Sequence, residues 1–129
     1  MPLEPNPIAT ILLVEDDMHV RDATARMLRS DGYRVLEAVD GSDARRVSNS
    51  FQDDIDVLLT DVLMPRLAGP ELAAELRGRR PHLRVIFFSG QAIERTIAAG
   101  QALGALALAK PFSREQLLAQ VRAALEVCV

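Results

Sequence analysis

Four short stretches of the sequence combine residue types that can do chemistry together: Glu15-Asp16-Asp17, Thr60-Asp61, Ser89-Gly90 and Lys110-Pro111. Each stands at the end of an apolar run. Together they offer carboxylates, a hydroxyl and an ammonium, a set that core packing does not require. The chemistry that needs it is phosphoryl transfer to a carboxylate. An Asp can act as a nucleophile and form an aspartyl phosphate. The transferred group is highly charged, so catalysis is mostly positioning and electrostatic stabilisation. Mg²⁺ takes one or two carboxylates together with waters and phosphate oxygens, and Glu15, Asp16 and Asp61 are the candidates. Lys110 is a mobile point charge for one phosphate oxygen, and Ser89 a hydroxyl donor for another.

These residues converge only if the right elements hold them. Apolar runs fall at Ile8 to Val14, Tyr33 to Ala38, Val57 to Leu59 (extended by Ile55), Val85 to Phe88 and Leu103 to Ala109. Runs apolar on both faces are expected of parallel strands covered on both sides. The stretches between them read as helices. After Asp17, a good N-cap, the stripe Val20, Ala23, Thr24, Met27 and Leu28 follows helical spacing, and Gly32 suits a left-handed stop. Shorter helices are expected over Gly41 to Val47, over Pro70 to Leu76 with Pro in its opening turn, and over Gln91 to Ala99. The last begins with a Ser113–Gln116 capping box and buries Leu117, Leu118, Val121 and Leu125. Five β-α units with short links imply right-handed crossovers and a five-stranded, doubly wound parallel α/β sheet. In such sheets ligands bind outside the carboxyl ends of the strands, which is where the four stretches fall.

Composition narrows the class. The chain has 129 residues, enough for one domain that needs no staple. A net charge of −3 gives no footprint for nucleic acid. The single cysteine, Cys128, forms no internal disulfide and points to a reducing compartment. No apolar stretch is long enough to span a membrane, and the Pro-rich start lacks the marks of a secretory signal. A cytoplasmic domain without direct nucleic-acid or membrane contact is the expectation.

At this point the residues resemble a known family. Ile11-Leu12-Leu13-Val14-Glu15-Asp16-Asp17 looks like the first strand of response-regulator receiver domains. Leu58-Leu59-Thr60-Asp61-Val62-Leu63-Met64-Pro65, with Ala68-Gly69, looks like their phosphoacceptor segment. Phe88-Ser89-Gly90 and Ala109-Lys110-Pro111-Phe112 look like their last two motifs. The likeness runs from about Ile11 to the final helix and is most like receivers of hybrid sensor kinases. It implies a flavodoxin-like (βα)5 receiver fold over residues 8–129 after a flexible lead-in, 1–7. It implies Asp61 as phosphoacceptor, with Lys110 and Ser89 contacting the phosphoryl group. Glu15, Asp16, Asp61 and the backbone carbonyl of Leu63 would hold Mg²⁺, and the Lys110–Pro111 bond would be cis. The donor would be a histidine kinase or histidine phosphotransfer protein. A homodimer through the expected Gln91 to Ala99 helix, the fifth strand and the final helix is a further option.

The same residues have plainer uses. Asp17 reads as a helix cap only, and Ser89 also suits a cap. Pro65 and Gly69 have sufficient reason as turn residues. His19 and His82 have no second ligand at metal spacing, and Arg77-Gly78-Arg79-Arg80 reads as a solvated helix end whose charge suits the dipole. Three positions depart from the family. Ala107 stands where an aromatic switch residue is usual, which moves the expected relay to the segment after Ser89-Gly90, up to Gly100. Leu63 and Gln91 flank the entry of an attacking water, and bulky, apolar Leu63 is expected to slow hydrolysis. Two rival functions draw on parts of the same set. A metal-dependent phosphatase of the haloacid-dehalogenase kind would carry a second Asp where Leu63 stands. A binding module that works without phosphate usually lacks the Asp or the Lys, and both are present.

Overall fold

In a computed structural model, residues 7–62, 68–89 and 104–126 are described, Ser89 by its backbone. The lead-in up to Asn6, Leu63, Met64 and Pro65, the expected Gln91 to Ala99 helix with Gly90 and Gly100, and Cys128 lie outside the described residues. The elements are β1 (Thr10–Val14), α1 (Met18–Ser30), β2 (Arg34–Ala38), α2 (Gly41–Ser50), β3 (Val57–Asp61), α3 (Gly69–Arg79), β4 (Arg84–Ser89), β5 (Leu106–Ala109) and a C-terminal helix, here α4 (Arg114–Glu126). The five strands form one sheet in the order β2-β1-β3-β4-β5, and every pairing is parallel. The strand order reverses between β1 and β3, so their carboxyl ends flank the crevice where such sheets bind ligands.

Period-two alternation divides the strands between two cores. Ile11, Leu13, Val57, Leu59, Ile86, Phe88 and Leu108 face α1 and α4. Leu12, Val14, Leu58, Val85 and Phe87 face α2 and α3. This is the two-sided burial that the unbroken apolar runs predict, and β1 and β3 have almost no exposed residue.

Helix ends follow the predicted chemistry. Asp17 Oδ1 accepts the backbone N–H groups of His19 at 2.8 Å and Val20 at 3.1 Å, and these bonds hold its carboxyl below the usual range. Gly32 has a φ of 95°. The Ser113 N–H donates to Gln116 Oε1, and Ser113 Oγ accepts from the Gln116 N–H, which closes the capping box.

Several sequence expectations need correction. The first strand starts at Thr10 rather than Ile8, whose side chain is exposed. The fifth is shorter than predicted, since Gly104 at a φ of 65° breaks extended backbone. The core face of α1 is rotated from the predicted stripe. Thr24, Ala25 and Leu28 are buried, Ala23 is exposed, and Val20 and Met27 are half-buried. The predicted stripe is therefore split between the core and a groove beside Lys110-Pro111-Phe112. In α4, Ala124 is buried in place of Leu125, which packs at the rim. Arg80 is not a solvated helix end. Its guanidinium donates to the Ser48 hydroxyl and to the carbonyls of Ser48, Phe51 and Asp53, satisfying acceptors that the end of α2 leaves open. Among the described residues, no helix is long and apolar enough to cross a membrane.

Candidate functional site

The alternation that builds the α1-side core also builds the site. Glu15 continues the face of Ile11 and Leu13 on β1. Asp61 continues Val57 and Leu59 on β3, and Lys110 continues Leu106 and Leu108 on β5. The strand register sets their height. Asp61 pairs with Phe88, and Ala109, just before Lys110, pairs with Ser89. One carboxylate oxygen from each of Glu15, Asp16 and Asp61 falls within 4.8 Å of the others. Lys110 Nζ donates to Asp61 Oδ2 at 2.9 Å and makes a short hydrogen bond to Glu15 Oε1. The Lys110–Pro111 peptide bond is cis.

The four groups differ in exposure. The Glu15 side chain is 1% exposed, Asp61 15% and Lys110 21%, while Asp16 is open to solvent. Burial pushes the Glu15 carboxyl up; the Lys110 bond pulls it back, and nearby Asp61 and Asp16 push it further up. Burial also works against the Lys110 ammonium, but its bonds to Glu15 and Asp61 outweigh this and its pKa is raised. Among the described residues three carboxylates cluster beside one ammonium, which bonds two of them, so this group carries excess negative charge. Its second sign is Glu15 Oε2, which is buried and finds no hydrogen-bond partner among the described residues. An orphaned buried carboxylate oxygen in an all-oxygen cluster is what a hard divalent cation would satisfy; the donor set fits Mg²⁺.

The charges predict a pH dependence for the metal-free protein. The folded chain holds the Glu15 proton more tightly than the unfolded chain, whose ordinary value is 4.5. Its contribution therefore grows as pH falls through the raised folded value and weakens as pH rises. The Lys110 contribution is present below its ordinary 10.5 and is lost as pH rises through its raised folded value. The urea midpoint without Mg²⁺ should fall as pH rises above 4.5, and Glu15→Gln should flatten that part of the profile. A slope that survives the substitution would contradict this origin.

Three residues support the site in ways that residue type and turn chemistry alone do not give. Arg21, in the first turns of α1, donates to the Glu15 carbonyl at 2.8 Å and pairs with Glu37 at 3.6 Å. Phe88 lies fully buried with its ring centroid 4.5 Å from Lys110 Nζ; its parity with Asp61 and Lys110 was a usable signal. Gly69 has a role beyond a turn. A Cβ there would lie 2.2 Å from the Asp61 carbonyl oxygen, and its N–H donates to the Val62 carbonyl at 3.0 Å. The metal-capable cluster contains no histidine among the described residues, and His19 and His82 lie exposed. The Leu63 carbonyl and the Ser89 side chain lie outside the described features.

The geometry has counterparts in known proteins. Residues 11–122 match the family described as response regulator receiver domain. The sensor kinase CckA of Brucella abortus is 40% identical over 121 residues, covering 92% of this chain and 13% of that protein. The response regulator MprA of Mycobacterium tuberculosis is 40% identical over 116 residues, covering 89% of this chain and 50% of that protein. The chain thus spans half or less of these two relatives. Among solved structures, a response regulator receiver domain protein from Clostridium thermocellum superposes with a TM-score of 0.83 at 28% identity, covering 92% of this chain and 94% of that one. The receiver domain of the hybrid histidine kinase CckA superposes with a TM-score of 0.76 at 37% identity, covering 91% and 99%. With the acid cluster, its lysine and the strand order all in place, the chain belongs to the response regulator receiver domain family.

Proposed function

We propose that this chain accepts a phosphoryl group onto Asp61 from a histidine kinase or histidine phosphotransfer protein, and that phosphorylation alters its affinity for a partner. The observation that carries this reading is the convergence of Glu15, Asp16 and Asp61 with Lys110 bonded to two of them, at the carboxyl edge beside the sheet's reversal point. An Asp61 carboxylate oxygen attacks phosphorus, the phosphorus–nitrogen bond of the phosphohistidine breaks, and the imidazole nitrogen leaves with the bonding electron pair. The second ring nitrogen carries a proton, so the products are an acyl phosphate and neutral imidazole. Lys110, already bound to Asp61, shifts an N–H to a phosphoryl oxygen as charge gathers there, and Ser89 is assigned another. Glu15, Asp16, Asp61 and the Leu63 carbonyl would hold Mg²⁺. When bound, Mg²⁺ offsets the charge repulsion between the carboxylate and the incoming phosphoryl group.

In this reading the chain is a signalling domain whose only reactions are on itself. A cytoplasmic setting fits the lone cysteine, and a second copy on the face of the expected Gln91 to Ala99 helix, β5 and α4 is one candidate partner. Incubation with phosphoramidate and Mg²⁺ should add one acid-stable, base-labile phosphoryl group, and chelation should stop it. Turnover of an added phosphate ester would favour the phosphatase reading. The remaining alternative, an interaction module independent of phosphate, gains if labelling proceeds and partner affinity does not change.

The metal assignment has its own test. Outer partners of metal ligands already matter by about tenfold or more, so Asp16→Ala should weaken Mg²⁺ binding by at least about tenfold. The same variant should be more stable than the parent without metal, because it removes one of three crowded like charges. Unchanged Mg²⁺ affinity would refute Asp16 as a ligand.

A further inference from the structure

The ammonium of Lys110 has a third neighbour besides its two carboxylates. Its Nζ lies 4.5 Å from the centroid of the Phe88 ring. That ring is wholly buried and meets Phe112 edge-on, with centroids 6.2 Å apart and planes at 72°. Phe112 stands between the end of β5 and the start of α4 and braces the Phe88 ring. A cation over a desolvated aromatic face is attracted by the ring quadrupole. We propose that Phe88 is a positioning residue for Lys110: its ring face keeps the ammonium at the mouth of the acid cluster while leaving it free to turn toward a phosphoryl oxygen. The proposal rests on the phosphoacceptor reading above.

Charge and geometry give the reason. Glu15 and Asp61 both pull the ammonium inward, and Glu15 is almost completely buried beneath it. A third carboxylate or carbonyl would hold the lysine more firmly, but it would also compete with the phosphoryl group for its N–H bonds. A ring face attracts the charge and offers no lone pair. An N–H turned toward it can therefore be redirected to an arriving oxygen at little cost. An aliphatic side chain of similar volume would fill the space without the attraction, and the ammonium would be held by its two carboxylates alone. Phe87, the preceding residue, faces the opposite core, so the role falls to Phe88 by strand parity.

The test replaces Phe88 in the full chain with mono-, di- and trifluorinated phenylalanine, which keeps the ring's shape and drains its face of negative charge. The readout is the rate constant for labelling by phosphoramidate with saturating Mg²⁺, measured beside Mg²⁺ affinity and the urea midpoint. The rate should fall in steps to about fivefold to thirtyfold below the parent, the span expected of a cation–ring attraction. Mg²⁺ affinity and the midpoint should stay within error, and Phe88→Tyr should label like the parent. A rate indifferent to fluorination, or one that falls only in step with the urea midpoint, overturns the role of Phe88 while parental labelling leaves the phosphoacceptor reading intact. A parent that takes no label overturns both.

Discussion

Asp61→Asn, given phosphoramidate and Mg²⁺, should take up no phosphoryl group where the parent takes one per chain. The substitution keeps side-chain shape and exchanges an anionic oxygen for an amide, which is a poor nucleophile at phosphorus. The other two acids are poor substitutes. Glu15 is almost fully buried, and one of its oxygens is already bonded to Lys110. Asp16 is exposed, and the lysine's bonds among the described residues go to Glu15 and Asp61 instead. Misfolding does not explain a negative result, because the Asp61–Lys110 pair lies at the edge of the sheet and Lys110 keeps Glu15. The variant should therefore retain the parent's cooperative urea transition. Full labelling of the Asn variant would remove Asp61 from the phosphoacceptor role. Labelling that moves to Asp16 would keep the site and change the nucleophile.

Much of the fold was legible because parallel strands covered on both faces need unbroken apolar runs. Leu12-Leu13-Val14 and Val57-Leu58-Leu59 have that character and no amphipathic alternative. Capping signals were equally direct: Asp17, Gly32 and the Ser113–Gln116 pair act locally, so tertiary packing does not override them. The rotation of α1 was not legible. Val20, Ala23, Met27 and Leu28 satisfy helical spacing as well as the buried set Thr24, Ala25 and Leu28 does. The core selects the second set because α1 packs across β1 with Arg21 turned toward the Glu15 carbonyl. Arg80 was misread for a related reason: its partners, the carbonyls of Ser48, Phe51 and Asp53, are distant in sequence and invisible to any local pattern.

The site was more legible than its support. Glu15, Asp61 and Lys110 each sit one step beyond an apolar run, and the position of ligand sites in doubly wound sheets brings run ends together. What joins them is finer: all three lie on the same parity of their strands as Phe88, so they share one face with its ring. Residue type hides that relation, since an apolar Phe in an apolar run reads only as core.

Gly69 carries the second large expected effect, and a glycine in the same helix supplies the contrast. A Cβ at Gly69 would stand 2.2 Å from the Asp61 carbonyl oxygen, 3.1 Å from its carbonyl carbon and 3.2 Å from Val62 Cα. Non-bonded carbon contacts settle near roughly 3.5 Å, and all three neighbours are backbone, so no side chain can swing aside. Gly69→Ala must push the end of β3 and the start of α3 apart, straining the Gly69-to-Val62 hydrogen bond. Overpacking of this kind costs about 1–3 kcal/mol. The displacement falls on the backbone that carries Asp61, so the labelling rate should drop as well. Gly78, exposed near the other end of α3, has nothing among the described residues within 4 Å of an added Cβ. There the gain in helix preference dominates, and Gly78→Ala should stabilise the protein by about 0.5 kcal/mol with labelling unchanged. Urea denaturation and phosphoramidate labelling of the two variants decide the matter. Equal midpoints for Gly69→Ala and the parent would mean that the close approach to the Asp61 carbonyl does not constrain the site.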